Sequence, residues 1–153
     1  MNRECYCLRL SENDAVKSGD VNDSLRMQNH RKLEVYRLAK QLALQVYGVA
    51  AQLPPTERYE LSRQLRKGAV SVGSNIAEGC GRFTSADLAR FLDGALGSAA
   101  ELEFQLELCA EAELAPQNDA TRAAETAMRI QQMLTRLIIK VRRDDPRNRP
   151  NPS

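Results

Sequence analysis

Tryptophan is absent from this 153-residue chain, phenylalanine occurs three times, and there is one histidine, His30. A single histidine excludes the carboxylate–histidine metal centres of helical bundles, which draw a Glu-x-x-His motif from each of two helices. It also leaves Ser71, Ser74 and Ser98 without an imidazole base, and Cys80 and Cys109 have no base near them in sequence, so nucleophilic catalysis lacks its second group. No strand pattern is present, hence no glycine-rich phosphate loop following a strand. The chain is therefore read as a non-enzyme with no metal and no cofactor. No apolar run approaches the roughly 20 residues of a membrane span, and the N-terminus lacks the apolar core of a secretory signal. A cytoplasmic protein with no membrane partner is expected. The four cysteines, Cys5, Cys7, Cys80 and Cys109, have the spacing of neither a disulfide framework nor a zinc site and read as reduced thiols.

Alanine, leucine, glutamate, glutamine and arginine fill the space those absences leave, and these are helix formers. Residues 1–29 are polar and aperiodic and read as a flexible leader; Met27, just before the first periodic segment, is a candidate for the true start. Helix one is expected from about Arg31 to Leu53, with Val35, Leu38, Ala39, Leu42, Val46, Val49 and Leu53 on one face. Pro54-Pro55 ends it. Thr56 is the expected N-cap of helix two, with Glu57 in its first turn. That helix runs to Gly79, where Gly79-Cys80-Gly81 offers a left-handed C-cap. Thr84 followed by Asp87 resembles a capping box opening helix three, whose buried face is Leu88, Phe91, Leu92, Ala95, Ala99, Leu102 and Leu106. Pro116 opens helix four, spanning about Gln117 to Arg143. Residues 144–153 read as a disordered tail. The expected fold is an all-α, antiparallel up-down-up-down four-helix bundle over residues 30–143.

The segment Gln64–Arg82 is the most unusual. An apolar stripe at Leu65, Ala69, Val72 and Ile76 runs beside a second stripe, Gly68, Ser71, Asn75 and Glu78, that is small and then polar. Small residues let another helix approach closely, and the polar groups there need partners, because an unsatisfied buried polar group costs about 1–3 kcal/mol. Gly94, Gly97 and Ser98 form a matching small patch on helix three. The structural reading is that Gln64, Ser71, Asn75, Glu78, Ser98 and Glu101 hold helices or subunits in register. Asn75 and Glu78 fall within reach of Arg31, Lys32 or Tyr36 and near the start of helix three, and Glu101 opposite Arg63 and Arg66. The functional alternative is a small-molecule pocket at Asn75, Glu78 and Arg82.

Leu33-Glu-Val-Tyr36, Leu53-Pro54, Glu57, Tyr59, Leu61, Gln64-Leu-Arg66, Ser71, Asn75-Ile-Ala-Glu-Gly79, Gly81-Arg82 and Gly97-Ser98-x-x-Glu101-Leu-Glu103 together resemble the bacterial four-helix-bundle family encoded in intervening sequences of large-subunit ribosomal RNA genes. The resemblance covers about Arg31 to Leu114. It implies a small helical bundle that assembles into a ring, commonly a homopentamer. The family is also similar to the accessory variability determinant of diversity-generating retroelements, a ring-forming bundle that binds nucleic acid and a reverse transcriptase, which implies RNA or DNA as a partner.

Net charge is only +2, but its distribution is uneven. From Ser98 to Leu114 there are Glu101, Glu103, Glu107, Glu111 and Glu113 with no basic residue, whereas the end of the chain is rich in arginine. The candidate phosphate-binding groups are Arg58, Arg63, Arg66 and Lys67 on helix two, Arg82 in the turn, and Arg136, Lys140, Arg142 and Arg143. A ring would repeat each patch around its axis. No aromatic residues interleave with these cations, so binding is expected to be directed by backbone and shape. The expected function is a non-enzymatic, ring-forming adaptor for structured RNA or DNA; the alternative is a protein scaffold that docks a basic partner on the acidic face of helix three.

Overall fold

The computed structural model describes residues 30–145 and Arg147. The expected leader, the candidate start at Met27, Cys5 and Cys7, and residues 148–153 of the expected tail lie outside the described residues. A short 3-10 turn (His30–Lys32) leads into four helices: α1 (Glu34–Ala51), α2 (Glu60–Cys80), α3 (Ser85–Glu111) and α4 (Gln117–Arg143). Each packs against its neighbour in sequence, and α1 also packs against α4, which closes the bundle. The described residues form no strand, and none of their helices is long and apolar enough to cross a membrane.

The core follows the apolar periodicity. Leu42, Val46, Leu65, Val72, Ile76, Leu92, Leu102, Leu106, Ile130 and Leu134 are fully enclosed. Alanine does much of the remaining filling: Ala95, Ala99, Ala120, Ala123 and Ala127 are completely buried on α3 and α4. Side chains this small let the two longest helices approach closely along their length. Phe91, expected inside, is only half-buried.

The helix ends separate the two poles of the bundle. Where α2 passes to α3, Thr84 is the N-cap as expected, its hydroxyl accepting from the Asp87 amide (3.1 Å), but the Asp87 carboxylate accepts from that hydroxyl (2.8 Å) rather than from the Thr84 backbone amide that a full capping box uses. At the opposite pole α2 starts later than expected. Pro54 and Pro55 accept bonds from Glu57 and Arg58 (3.0 and 3.4 Å), so the chain makes successive turns and helix begins only at Glu60. Thr56 is therefore not the N-cap; Tyr59 occupies that place, without a side-chain capping bond.

The left-handed C-cap is also displaced. Gly81 takes right-handed values (φ −86°, ψ 0°), and no described glycine has positive φ. The left-handed residue is Glu113 (φ 54°), after α3. There the Leu114 amide bonds to Cys109 O (2.9 Å) and the Glu113 amide to Ala110 O (3.3 Å), the paired bonds of a Schellman motif on a residue other than glycine. The start of the expected tail is ordered too. Asp145 is buried and accepts from the Arg147 backbone amide (3.0 Å), Nε (3.1 Å) and Nη2 (2.8 Å).

Candidate functional site

The small-and-polar stripe of α2 meets the small patch of α3 along a shared seam. The Ser71 and Ser98 hydroxyls lie 2.9 Å apart. Asn75 Nδ2 donates to the Ser71 carbonyl (2.9 Å) and the Ser71 hydroxyl (3.1 Å). The Asn75 carbonyl oxygen faces Gly94 so closely that a Cβ there would sit 3.1 Å from it. Asn75 thus spans α2 and α3; of the two neighbourhoods the spacing predicts, it lies against α3, and its hydrogen bonds stay within α2 rather than reaching α1. The physical reason is local: an asparagine in mid-helix reaches the carbonyl four residues earlier, and the missing side chain of Gly94 leaves room for its other edge.

Glu78 also stays local, pairing with Arg82 one turn later. Arg63 pairs with Glu60 (2.9 Å) and Arg66 lies over the Tyr47 ring (5.6 Å), so neither is taken up by Glu101. Glu101 instead stands exposed on the rim of a groove of about 230 Å³. Arg63, Gln64, Lys67, Ser98 and Gln105 are among its walls. Gln64 accepts from Gln105 (3.3 Å) and donates to Glu60 (2.7 Å); that bond, followed by Arg63, holds the Glu60 carboxyl below its usual range.

The basic candidates do not form one surface. Arg58 lies in the turn before α2, at the pole that also carries Glu57, Glu60, Glu107, Glu111, Glu113 and Asp119. Arg66 and Lys67 lie farther along α2 and Arg136 within α4. Arg82, Lys140, Arg142 and Arg143 gather at the other pole, where α2 ends, α3 begins and α4 ends. Several arginines there are oriented by carboxylates: Arg82 by Glu78, Arg142 by Asp93, Arg143 by Asp144 (3.2 Å) and Arg147 by Asp145.

This pole also holds a feature that the sequence reading missed. The Arg82 guanidinium lies over the Phe91 ring at 4.7 Å, and Arg90 approaches the same ring at 5.2 Å while pairing with Asp87 (3.6 Å). Phe83, next to Arg82 in the turn, is 88% exposed. Cations and aromatics are therefore interleaved after all. The signal was the repeated dipeptide, Arg82-Phe83 and Arg90-Phe91, which the turn brings together. Assigning Phe91 to the core hid it.

The two described thiols, Cys80 and Cys109, are buried and held in the neutral form. Burial pushes Cys80 up to about 11, and burial together with the Glu57 carboxylate raises Cys109. Among the described residues no cluster of three or more His, Cys, Asp or Glu side chains is arranged to hold a metal.

A family profile described as "23S rRNA-intervening sequence protein" matches residues 31–136. No curated protein matches the chain. Among solved structures, the chain is similar to a protein of unknown function from the S23 ribosomal protein family of Bacteroides thetaiotaomicron VPI-5482, at 24% identity and a TM-score of 0.63, covering 68% of this chain and 97% of that one. At that identity the likeness shows the fold alone. The family profile, however, spans α1, α2, α3 and most of α4, including the Ser71–Asn75–Ser98 seam and the Arg82–Phe91 pole, and by that match the chain belongs to the 23S rRNA-intervening sequence protein family.

Proposed function

We propose that the chain is a non-enzymatic adaptor that assembles into a homo-oligomeric ring, most simply of five subunits, and holds structured RNA or DNA at its arginine-bearing pole. The observation that carries this reading is the uneven charge along the bundle axis: at one pole Arg82, Arg90, Arg142, Arg143 and Arg147, each paired with a carboxylate, are joined by Arg31 and Lys140, whereas the other pole sets Arg58 and Arg63 against Glu57, Glu60, Glu107, Glu111, Glu113 and Asp119. A nucleic acid is drawn to the first pole and repelled by the second. A ring would repeat the first pole around its axis, so modest charge per chain would add up to many phosphate contacts. The family's name, which refers to intervening sequences of ribosomal RNA, is in keeping with RNA as a partner. Leu44, Tyr47 and Val70 are exposed on α1 and α2 and supply apolar surface for subunit contacts. The Ser71–Asn75–Ser98 seam fits a register role within each subunit, and Gln64, Glu78 and Glu101 sit around it.

The test is a titration of the purified protein into a fragment of structured ribosomal RNA, read by gel shift from low to physiological salt, with light scattering for mass. Binding that weakens steeply with salt, together with a mass above the monomer, is the expected outcome. Absence of binding at low salt would remove the nucleic-acid role, and a monomer at micromolar concentration would remove the ring.

A second reading rests on the groove of about 340 Å³ between α3 and α4, where Glu103, Glu107, Glu111 and Glu125 surround Met128. It has the chemistry to dock a basic protein segment, and binding of a cationic peptide without RNA binding would favour it. The pocket alternative at Asn75, Glu78 and Arg82 has less support, because these side chains bond within α2 and its end.

A further inference from the structure

We infer that the α2–α3 turn is a stacking platform for unpaired bases, with Phe83 as the ring on which a base lies and Arg82 and Arg90 as the cations that hold the adjoining phosphates; the inference rests on the nucleic-acid reading above. Phe83 (88%) and, at the opposite pole, Tyr59 (87%) are the most exposed large apolar side chains among the described residues, and of the two only Phe83 has two guanidiniums stacked on a second ring at its pole. Burying an aromatic ring favours folding, yet the fold leaves this one in water while Phe91, at the same pole, is half-buried.

The backbone on either side of Phe83 is held. The Arg82 amide bonds to Gly79 O (3.1 Å), and on the other side Thr84 O accepts from the Leu88 amide (3.0 Å) while the Thr84 hydroxyl accepts from the Asp87 amide (3.1 Å). The ring is thus presented from a rigid turn, and little ordering entropy is lost when a base settles on it. The two guanidiniums are positioned as well, each over Phe91 and each anchored by one carboxylate, Glu78 or Asp87. A planar ring beside paired cations is the combination used for single-stranded nucleic acid, since every base has a π-face and every nucleotide a phosphate. A fully paired duplex hides its base faces and would use only the cations. The preferred partner is therefore RNA or DNA with an unpaired loop or bulge.

The experiment uses the full chain and two fluorescent RNAs with the same number of phosphates, a stem with an unpaired loop and a blunt duplex. A 2-aminopurine in the loop reports stacking. The wild-type protein should bind the looped RNA more tightly and change the 2-aminopurine emission. Phe83→Ala should weaken the looped complex by about tenfold, leave the duplex complex and the oligomer mass unchanged, and abolish the emission change. Phe83→Tyr should retain wild-type behaviour, and Phe83→Leu, apolar but without a π-face, should behave like Phe83→Ala. If the wild-type protein binds both RNAs equally and Phe83→Ala changes neither, the platform is refuted while the phosphate-binding reading stands. If Phe83→Ala lowers the mass and weakens both RNAs together, Phe83 is a subunit contact and the platform is again refuted. If the wild-type protein binds neither RNA at low salt, both readings fall.

Discussion

The two poles of this bundle are built by different means. At the α2–α3 pole the turn is short, the Thr84 side chain caps the following helix, and α2 and α3 nearly touch. A Cβ added to Gly79 would lie 3.0 Å from Phe91 Cβ and 3.2 Å from a Leu88 methyl. At the opposite pole α2 starts without a side-chain cap, α3 ends on a left-handed glutamate, and the buried Ser62 hydroxyl has no partner. The first pole carries Arg82, Arg90, Arg142, Arg143 and Arg147, each paired with a carboxylate, and exposed Phe83; the second carries Glu57, Glu60, Glu107, Glu111, Glu113 and Asp119 with Arg58 and Arg63. The better-capped turn and the closer helix approach thus lie at one pole, and the left-handed residue and the unpartnered hydroxyl at the other.

The comparison can be broken first at Gly79. Gly79→Ala should destabilise the protein by about 1–3 kcal/mol, because neither the Phe91 Cβ nor the Leu88 backbone can yield without shifting α3. Gly97→Ala, where nothing lies within 4 Å of the added atom, should instead stabilise by up to about 1 kcal/mol through helix propensity. Urea melts of the pair measure both, and equal effects would mean the close approach is not real.

A pH titration of stability probes burial of the thiol at the same pole. The ordinary value of a cysteine is 9.0, and in the fold Cys80 is raised to about 11. The neutral thiol is therefore the form the fold favours. Its contribution is complete below pH 9 and is lost as pH rises towards 11, roughly 1 kcal/mol of it by pH 10. Cys80→Ala should flatten this alkaline limb, and an unchanged limb would assign it to other groups. Cys109 shifts in the same direction and should leave a smaller residual slope.

The caps give the next contrast. Thr84→Ala should cost about 1 kcal/mol, whereas Thr56→Ala should change stability by less than about 0.5 kcal/mol, since Thr56 is exposed in a turn and caps nothing. A Thr56→Ala loss equal to that of Thr84→Ala would restore the earlier helix start. The smallest effect is expected at Glu113. Glu113→Gly relieves a left-handed backbone that costs a side chain about 1–2 kcal/mol, offset by the freedom glycine adds to the unfolded chain. A net gain of roughly 0.5 kcal/mol in a thermal melt is expected, and a loss would show that the glutamate side chain contributes there.

Much of the fold was legible because its information is local. The bounds of α4, the Thr84 cap and the core stripe of α2 follow from periodicity and neighbouring side chains, and each holds. The errors arose where several local options compete. Pro54-Pro55 stops a helix, but whether the next begins at Thr56 or Glu60 depends on how many turns fit between two packed helices. Gly79 and Gly81 suggested a left-handed cap, yet Gly79 is needed for close contact with α3 and Gly81 closes α2 in a right-handed turn. The candidate site was legible in composition more than in arrangement. Ser71, Asn75 and Ser98 do meet, and of the two neighbours the spacing offers Asn75, α1 and the start of α3, it faces Gly94 on α3.

What the sequence by itself determined is the set of helices, the faces they bury and the family, since hydrophobic period, caps and motifs are properties of a few residues in succession. Tertiary structure alone decided that the basic candidates divide between poles, that Phe91 leaves the core to lie under two guanidiniums, and that Phe83 is presented to solvent beside them. Charge and aromatic surface belong to places where distant segments converge, and the antiparallel packing of four helices determines which ends share a pole.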